Sequence, residues 1–369
     1  MLIGVPREIK DHEFRVGATP AGVKVLTEAN HDVLVQSGAG QAIGFTDEMY
    51  TQAGARIVAT AADVYQCPLV VKVKEPQASE FPLMHEGQVL FTYLHLAPDP
   101  QQTRQLLDRK VVGIAYETVT DAQGGLPLLV PMSEVAGRIA VQAGASALQM
   151  IHGGRGVLLG GVPGVPVGEV VIIGGGVVGT EAAKMALGLG AGVTILDTNL
   201  ARLRTLDDLF GPALRTRFSE SHAIEELVSQ ADLVIGSVLI PGHAAPKLIT
   251  RELVRGMKRG SVIVDVAIDQ GGCCETSHPT THSDPLFIEE EVVHYCVANM
   301  PGACARTATQ ALTNATLPYL LRLANLGYQE ALKQDEHLRH GLNVCHGKVT
   351  YQAVAEDLGY EYAPPEEVL

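Results

Sequence analysis

The stretch EVVIIGGGVVGTEAAKMALGLGAGVTILD, residues 169–197, decides the fold class. An apolar run, VVII, enters the pattern Gly174-x-Gly176-x-x-Gly179, and the segment TEAAKMALGLGA that leaves it reads as a helix. In such a strand–turn–helix the first glycine makes the tight turn. The second lets a pyrophosphate approach the backbone, and the third allows close packing of helix on strand. The helix N-terminus offers its free N–H groups to the anion. A lone G-x-G-x-x-G is a weak signal, because an ordinary α/β protein can carry it as a mere turn. Here both flanks fit, and the next strand, VTIL, ends on Asp197, 18 residues beyond Gly179. A carboxylate at that point accepts the ribose hydroxyls and repels a 2′-phosphate, which favours NAD over NADP. Arg202, five residues further on, bears on the same choice. It could accommodate a 2′-phosphate, pack near the adenine, or pair on the surface.

Outward from this unit the pattern repeats. DLVIGSVL (232–239), SVIVDVAID (261–269) and HYCVANMP (294–301) read as further strands of the same sheet. Residues 1 to about 125 supply another set: LIGV (2–5), HDVLVQ (31–36), LVVKVK (69–74), QVLFTYLH (88–95) and VVGIAYE (111–117). Between them, Thr19-Pro20 offers an N-cap and an N1 proline for a helix through Ala29, and TDEMYTQAGA (46–55) and residues 99–110 read as helices. Strands alternating with short helices argue βαβ units and parallel sheets. DAQGGLP (121–127) marks a domain boundary, followed by a helix with few charges over Ser133 to Ile151. The glycine-rich GGRGVLLGGVPGVPVG (153–168) is no regular helix; a long helix runs from Arg306 to about Leu326, and the tail from Leu332 reads as helical and polar. The expected fold is therefore α/β with two domains and mainly parallel sheets. Residues 1–127 plus 306–369 form a discontinuous first domain, and residues 128–305 form the nucleotide-binding domain.

Composition bounds the partners. The 369 residues hold 27 Lys and Arg against 41 Asp and Glu, a formal net charge of −14. That argues against nucleic-acid binding, which requires a basic face, and against an anionic membrane surface. The longest stretch without a formal charge, Ile139 to Gly154, is 16 residues and includes several polar ones, short of the ~20 mostly apolar residues that span a bilayer. The opening MLIGV reads as a strand, so no apolar leader is expected, and six cysteines without C-x-x-C spacing suggest neither a disulfide framework nor a zinc site. The expected location is a reducing cytoplasm. Glycine, 39 of 369 residues, exceeds the usual ~7%, as suits the turns of nucleotide-binding α/β folds.

Three residues of the first domain fall just after strands, where open α/β sheets form their ligand crevice. Arg15 follows the first strand and a short loop, Lys74 ends LVVKVK, and His95 ends QVLFTYLH. A guanidinium fork and an ammonium at one crevice suit a small carboxylate, and a histidine moves protons near neutral pH. Lys72 and Lys74 share one face of a strand, so spacing leaves open which is inside, and His95 could equally be a core histidine. In the second domain Asp269 ends SVIVDVAID before Gln270-Gly271-Gly272, as a turn former or as a catalytic carboxylate. Cys273, Cys274, His278 and His282 lack the spacing of a metal site, and none is expected.

PREIKDHEFRVGATPAGV (6–23), VKVKEP (71–76), LFTYLHLA (90–97), GGRGVLLGGVPGV (153–165), GGGVVGTEAA (174–183), VDVAIDQGGC (264–273), VANMPGA (297–303) and TQALTNATLPYL (309–320) together resemble the alanine dehydrogenase family over essentially the whole chain. Its superfamily also holds the NAD-binding part of nicotinamide nucleotide transhydrogenase. The resemblance implies two Rossmann-type domains joined by long helices, the first discontinuous, commonly assembled as hexamers. It implies reversible oxidative deamination of L-alanine by NAD to pyruvate and ammonia. Arg15 and Lys74 match the positions that hold the substrate carboxylate and carbonyl, His95 the general acid/base, and Asp269 the second catalytic residue. Ser133, Gly174, Gly176, Val177, Val178, Gly179, Asp197, Arg202, Ser219, Val238, Leu239, Val266, Ala267, Ile268, Asp269, Val297, Ala298, Asn299 and Met300 match NAD contacts. His278 falls where a family member can carry an arginine. Two other classes remain: a transhydrogenase-like subunit exchanging hydride between nucleotides, and an NAD-sensing module without turnover. Arg15, Lys74, His95 and Asp269 together argue against both.

Overall fold

A computed structural model of the protein describes residues 1–238 and 245–369; Leu239 lies outside the described residues. Six strands come first: β1 Leu2–Val5, β2 Asp32–Gln36, β3 Arg56–Val58, β4 Leu69–Val71, β5 Val89–Thr92 and β6 Val112–Ala115. Seven follow: β7 Glu169–Ile173, β8 Gly192–Asp197, β9 Leu214–Phe218, β10 Leu233–Gly236, β11 Val262–Asp265, β12 Leu286–Glu289 and β13 Val292–Tyr295. The tail adds β14 Leu342–Cys345 and β15 Lys348–Val349. The described chain forms two compact units, Met1–Met132 with Cys304–Leu369, and Ser133–Ala303.

The sheet of the first unit runs β15-β14-β6-β5-β4-β1-β2-β3, with β1 to β6 all parallel. The sheet of the second runs β12-β13-β11-β10-β7-β8-β9, parallel except for β12. Counting only parallel strands, each sheet has the order 3-2-1-4-5-6 of a Rossmann fold, whose ligand crevice opens where the order reverses, beyond the C-terminal ends of strands 1 and 4. Those strands are β1 and β4 in one unit and β7 and β10 in the other. Both units are thus α/β with mainly parallel sheets, as the alternating pattern required.

Burial explains why apolar runs became strands here. Every residue of β4, β5, β6, β10 and β11 is buried, as in a parallel sheet covered on both faces. In the second unit Ile172, Ile195, Leu233, Ile235 and Val264 pack on one face with Ala182, Ala183 and Ala186 of the helix Val177–Gly188. Their alternates Val171, Ile173, Leu196, Val234 and Ile263 pack on the other with Ile224 and Val228. Each such side chain contributes about 1.5–3 kcal/mol on burial. The helix Pro20–Glu28 starts as its sequence requires, with the Thr19 hydroxyl accepting from the Gly22 N–H at 3.1 Å.

Three expectations change. The strands stop short of their apolar runs: β4 at Val71, β5 at Thr92, β6 at Ala115 and β11 at Asp265. Lys74, His95 and Asp269 therefore lie in the segments beyond the strands, where side chains replace the ladder. The long helix spans Val130–Ala147 rather than Ser133 to Ile151, and Met150–His152 form a separate turn closed by Gly153 at φ 84°. The tail is not wholly helical, because β14 pairs antiparallel with β6 and with β15. His346 and Gly347, at φ 48° and 84°, make the two-residue turn that matches the twist of a hairpin.

Candidate active site

In the second unit, β7 leads into Gly174 at φ 105°, a conformation that glycine adopts without strain. A Cβ on Gly179 would lie 1.9 Å from the Gly174 carbonyl oxygen, so the third glycine is needed for the packing. A Cβ on Gly176 would instead meet nothing within 4 Å. That open position is where the backbone can admit a pyrophosphate. The helix begins at Val177 and Val178, and no side chain caps its first N–H groups, which leaves those donors to an anion. The turn fits a dinucleotide on all three counts.

Asp197 ends β8 with its carboxylate fixed by two backbone donors, Gly175 N–H to Oδ2 and Asn199 N–H to Oδ1, both at 2.7 Å. The Ser219 N–H donates to the Asp197 carbonyl at 3.0 Å, which brings the residue after β9 alongside. Arg202 is turned onto the glycine turn. Its Nε donates to the Gly175 carbonyl and its Nη2 to the Thr180 hydroxyl, each at 2.5 Å. Val238 follows β10, Val266 to Asp269 follow β11, and Val297 to Met300 lie beyond β13. All of these segments follow the C-terminal ends of parallel strands of one sheet. Val297 and Met300 pack in the core, Ala298 is exposed, and Ser133 is half-buried in the helix Val130–Ala147.

Asp269 does not end a strand. β11 gives way at the fully buried Asp265 to a short helix, Val266–Gln270. The Asp265 carboxylate explains this, because its Oδ2 accepts the N–H groups of Cys273 at 2.9 Å and Cys274 at 3.2 Å. It thereby ties both ends of the excursion together, with Gly271 and Gly272 at positive φ on the return. Asp269 is exposed on this loop, and its Oδ1 accepts from the Asn299 N–H at 3.4 Å rather than from its own turn. The Cys273 thiol donates to Asp265, Cys274 meets Thr276, the His278 ring lies on Phe287, and His282 bonds the Asn299 carbonyl.

In the first unit, Arg15 sits in the loop between β1 and the helix Pro20–Glu28 and is only 2% exposed. Its Nε and Nη2 donate to the two oxygens of Glu13 at 2.7 and 2.6 Å, and its Nη1 lies 3.1 Å from the Met132 sulfur. Burial opposes ionisation of Glu13, but the guanidinium fork outweighs it and holds the carboxyl at about 2. Lys74 is half-buried. Burial first, and the Arg15 charge second, pull its ammonium below the ordinary lysine range, so the two cations are close enough to repel. Among the described residues the Lys74 ammonium has no hydrogen-bond or ion-pair partner. Lys72 is the inward residue of the pair, 1% exposed between Glu8 and Glu80.

His95 has φ 47°, a left-handed backbone that is uncommon outside glycine and that concentrates at functional sites. Its side chain is 47% exposed, which removes the core-histidine reading. The ring stacks on Tyr93 with centroids 5.7 Å apart and 2° between planes, and Tyr93 is anchored by its hydroxyl to the Leu128 carbonyl at 2.6 Å. Tyr93 in turn lies within the field of the Arg15 charge. Arg15, Lys74 and His95 are therefore gathered at one edge of the sheet.

Sequence reasoning missed Glu13 and Glu117. Glu117 lies just beyond β6, and its carboxylate accepts the His95 N–H at 2.6 Å and the Leu94 N–H at 3.2 Å, with Oε1 3.7 Å from the ring Nδ1. The signal was present in VVGIAYE, a carboxylate closing a buried strand, the placement that singled out His95. Glu117→Gln keeps an acceptor for the backbone but loses the charge facing the imidazole. Turnover is expected to fall about 10- to 100-fold with the Michaelis constant for the nucleotide unchanged. Unchanged turnover in steady-state assays would reduce Glu117 to a backbone anchor.

Two Rossmann-order units, one with a glycine turn of the shape that suits a dinucleotide and one with two cations beside a histidine, define the class of two-domain α/β oxidoreductases. The family profile described as "Alanine dehydrogenase/PNT, N-terminal domain" matches residues 4–136, and the one described as "Alanine dehydrogenase/PNT, C-terminal domain" matches residues 140–352. The chain is 58% identical over 363 residues to an alanine dehydrogenase of Halomonas elongata, covering 98% of each chain. It is 57% identical over 371 residues to one of Methanococcus maripaludis, covering all of both. Among solved structures it superposes on an L-alanine dehydrogenase with TM-score 0.95 and 54% identity, over 97% of this chain and 99% of that one. A transhydrogenase from Sinorhizobium meliloti gives TM-score 0.82 at 25% identity, over 96% and 100%. The chain belongs to the alanine dehydrogenase/PNT family, which implies a nicotinamide cofactor.

Proposed function

We propose that the protein catalyses the reversible oxidative deamination of L-alanine to pyruvate and ammonia with NAD. The observation that carries the reading is the gathering of Arg15, Lys74 and His95 at one sheet edge, in a chain more than half identical to alanine dehydrogenases over its full length. The transhydrogenase reading has the weaker support, at 25% identity.

Bound nicotinamide would take a hydride from the alanine Cα in one direction and return it in the other. The Gly174–Gly179 turn and the uncapped helix beyond it would hold the pyrophosphate. Asp197 and Ser219 would face the adenosine ribose, and Ser133, Val238, Leu239, Val266 to Asp269 and Val297 to Met300 would line the rest. The Arg15 guanidinium, pre-oriented by Glu13, would fix the substrate carboxylate. The Lys74 ammonium would polarise the carbonyl or carbinolamine oxygen. His95 would take a proton from the attacking water and return one to the leaving amine, its imidazolium steadied by Glu117. Asp269 would orient the water or stabilise the cationic imine. On this reading the unit Met1–Met132 with Cys304–Leu369 binds substrate and Ser133–Ala303 binds the nucleotide.

NAD is the preferred cofactor, because Asp197 would oppose a 2′-phosphate and Arg202 is engaged with Gly175 and Thr180. Asp197→Ser is expected to narrow the gap in kcat/KM between NAD and NADP, mostly by improving NADP use. Equal efficiencies in the wild type would overturn the assignment. The deciding assay follows NADH absorbance with small amino acids at alkaline pH; silence with L-alanine would remove the reading. Among the described residues no helix is long and apolar enough to cross a membrane, and we place the enzyme in the cytoplasm. Met150, Ile151, Leu158, Val162 and Val165 are all more than half exposed within one short segment, which favours assembly of copies, a hexamer on the family pattern.

A further inference from the structure

We infer that Glu8 is a positioning residue for the reaction, holding the backbone of Lys74 in place from beneath the substrate edge. The inference rests on the reading of Lys74 as a substrate-binding residue. The β4 ladder ends at Val71, yet Lys74 lies three residues further on, and every backbone polar group in between is held. The Lys72 N–H reaches the Phe91 carbonyl at 3.2 Å, and the Tyr116 hydroxyl donates to the Lys72 carbonyl at 3.0 Å. One oxygen of Glu8 accepts the N–H of Val73 at 2.7 Å and of Lys74 at 3.4 Å. The Tyr93 N–H donates to the Val73 carbonyl at 3.3 Å, and the Thr92 hydroxyl to the Lys74 carbonyl at 2.9 Å.

The other oxygen of Glu8 accepts from the Lys72 ammonium at 3.2 Å, and that ammonium also donates to Glu80 at 2.8 Å. Glu80 is fixed in turn by the Tyr65 hydroxyl at 3.0 Å and the Gln77 N–H at 2.8 Å. The charged cluster therefore grips the chain on both sides of Lys74. All three charged members are 6% exposed or less. Buried ionic clusters of this kind contribute little net stability compared with apolar packing, and their best-attested use is to fix geometry. What this one fixes is the strand extension that carries the one cation at the edge with no partner among the described residues.

The test uses the full-length protein with Glu8→Gln, which keeps an acceptor for Val73 but turns an amide N–H toward the Lys72 ammonium. The pyruvate Michaelis constant is expected to rise about 10- to 100-fold, while that for NADH stays within about twofold. A second readout needs no activity: acetylation of individual lysines by acetic anhydride across pH, quantified by peptide mass spectrometry. The Lys74 labelling rate at mildly alkaline pH is expected to change at least about threefold, with exposed Lys24 and Lys348 unmoved. Glu8→Asp, which keeps the charge one methylene shorter, should show a smaller Lys74 change and supplies the same readout if the glutamine variant does not fold. A Lys74 labelling profile identical to wild type in a folded variant overturns the proposal, even if the unfolding midpoint drops. Because labelling is read without substrate, a wild type inactive on alanine would remove the activity reading and leave this one decided separately.

Discussion

Replacing His95 by alanine is expected to cut turnover by ~10²–10⁴ while NADH binding stays nearly intact. The structure sharpens this expectation in two ways. The side chain is half exposed, stacked on Tyr93 and facing the Glu117 carboxylate, so its removal opens onto solvent rather than the core, and thermal unfolding should move little. The backbone at φ 47° is the cost to guard against, because alanine adopts it less readily than asparagine. His95→Asn is therefore the matched variant, equally inactive and free of added backbone strain. Single-turnover hydride transfer and nucleotide titration on both variants decide the role. An active but destabilised His95→Ala would sink the proton shuttle.

The second large effect falls on Arg15. Its removal takes the guanidinium fork away from the buried Glu13 carboxylate, and breaking a buried pair in this way costs about 3–5 kcal/mol. Arg15→Ala alone should thus be strongly destabilised, and its kinetics would mix folding with binding. Glu13→Gln in the same chain removes the buried negative charge that the guanidinium had balanced and is expected to restore most of the stability. It should not restore substrate binding: without the guanidinium the pyruvate Michaelis constant is expected to rise roughly 10- to 150-fold, for a lost charge-assisted bond of ~1.5–3 kcal/mol. A double variant with the wild-type constant would remove Arg15 from the substrate site. The pair also has a defined pH window. Glu13 titrates at about 2 in the fold, below its unfolded value, so its contribution to stability is full above the ordinary carboxylate range, declines progressively below that range and is gone once pH has fallen through about 2. Weakening of pyruvate binding between pH 4 and 6 would therefore have to come from another group.

The parallel α/β class, the glycine turn after β7 and the carboxylate that ends β8 were legible in the sequence because each rests on local geometry. A glycine is needed where φ is positive or where a Cβ would strike a carbonyl, and a strand buried on both faces is continuously apolar. The same local logic put Arg15, Lys74 and His95 near strand ends. It failed wherever a distant side chain set the backbone. Glu8, Glu117 and Asp265 each accept two backbone N–H groups from segments 65 or 66, 22 or 23, and eight or nine residues away. Those bonds take over where the ladders stop, so β4, β5 and β11 end earlier than their apolar runs.

By itself, then, the sequence determined the two-sheet α/β design, the glycine turn after β7 and the residue types at the edge proposed to hold substrate, since periodicity and glycine placement act over a few residues. Only the tertiary structure decided that Lys72 points inward and Lys74 does not, that His95 is exposed on a left-handed backbone, and that Arg202 is engaged with the glycine turn. It alone showed that Glu13 orients Arg15 and Glu117 faces His95. The reason is desolvation: a charge can be buried only where partners from other segments satisfy it. Which charge is buried is therefore set by the folded chain and not by spacing along it.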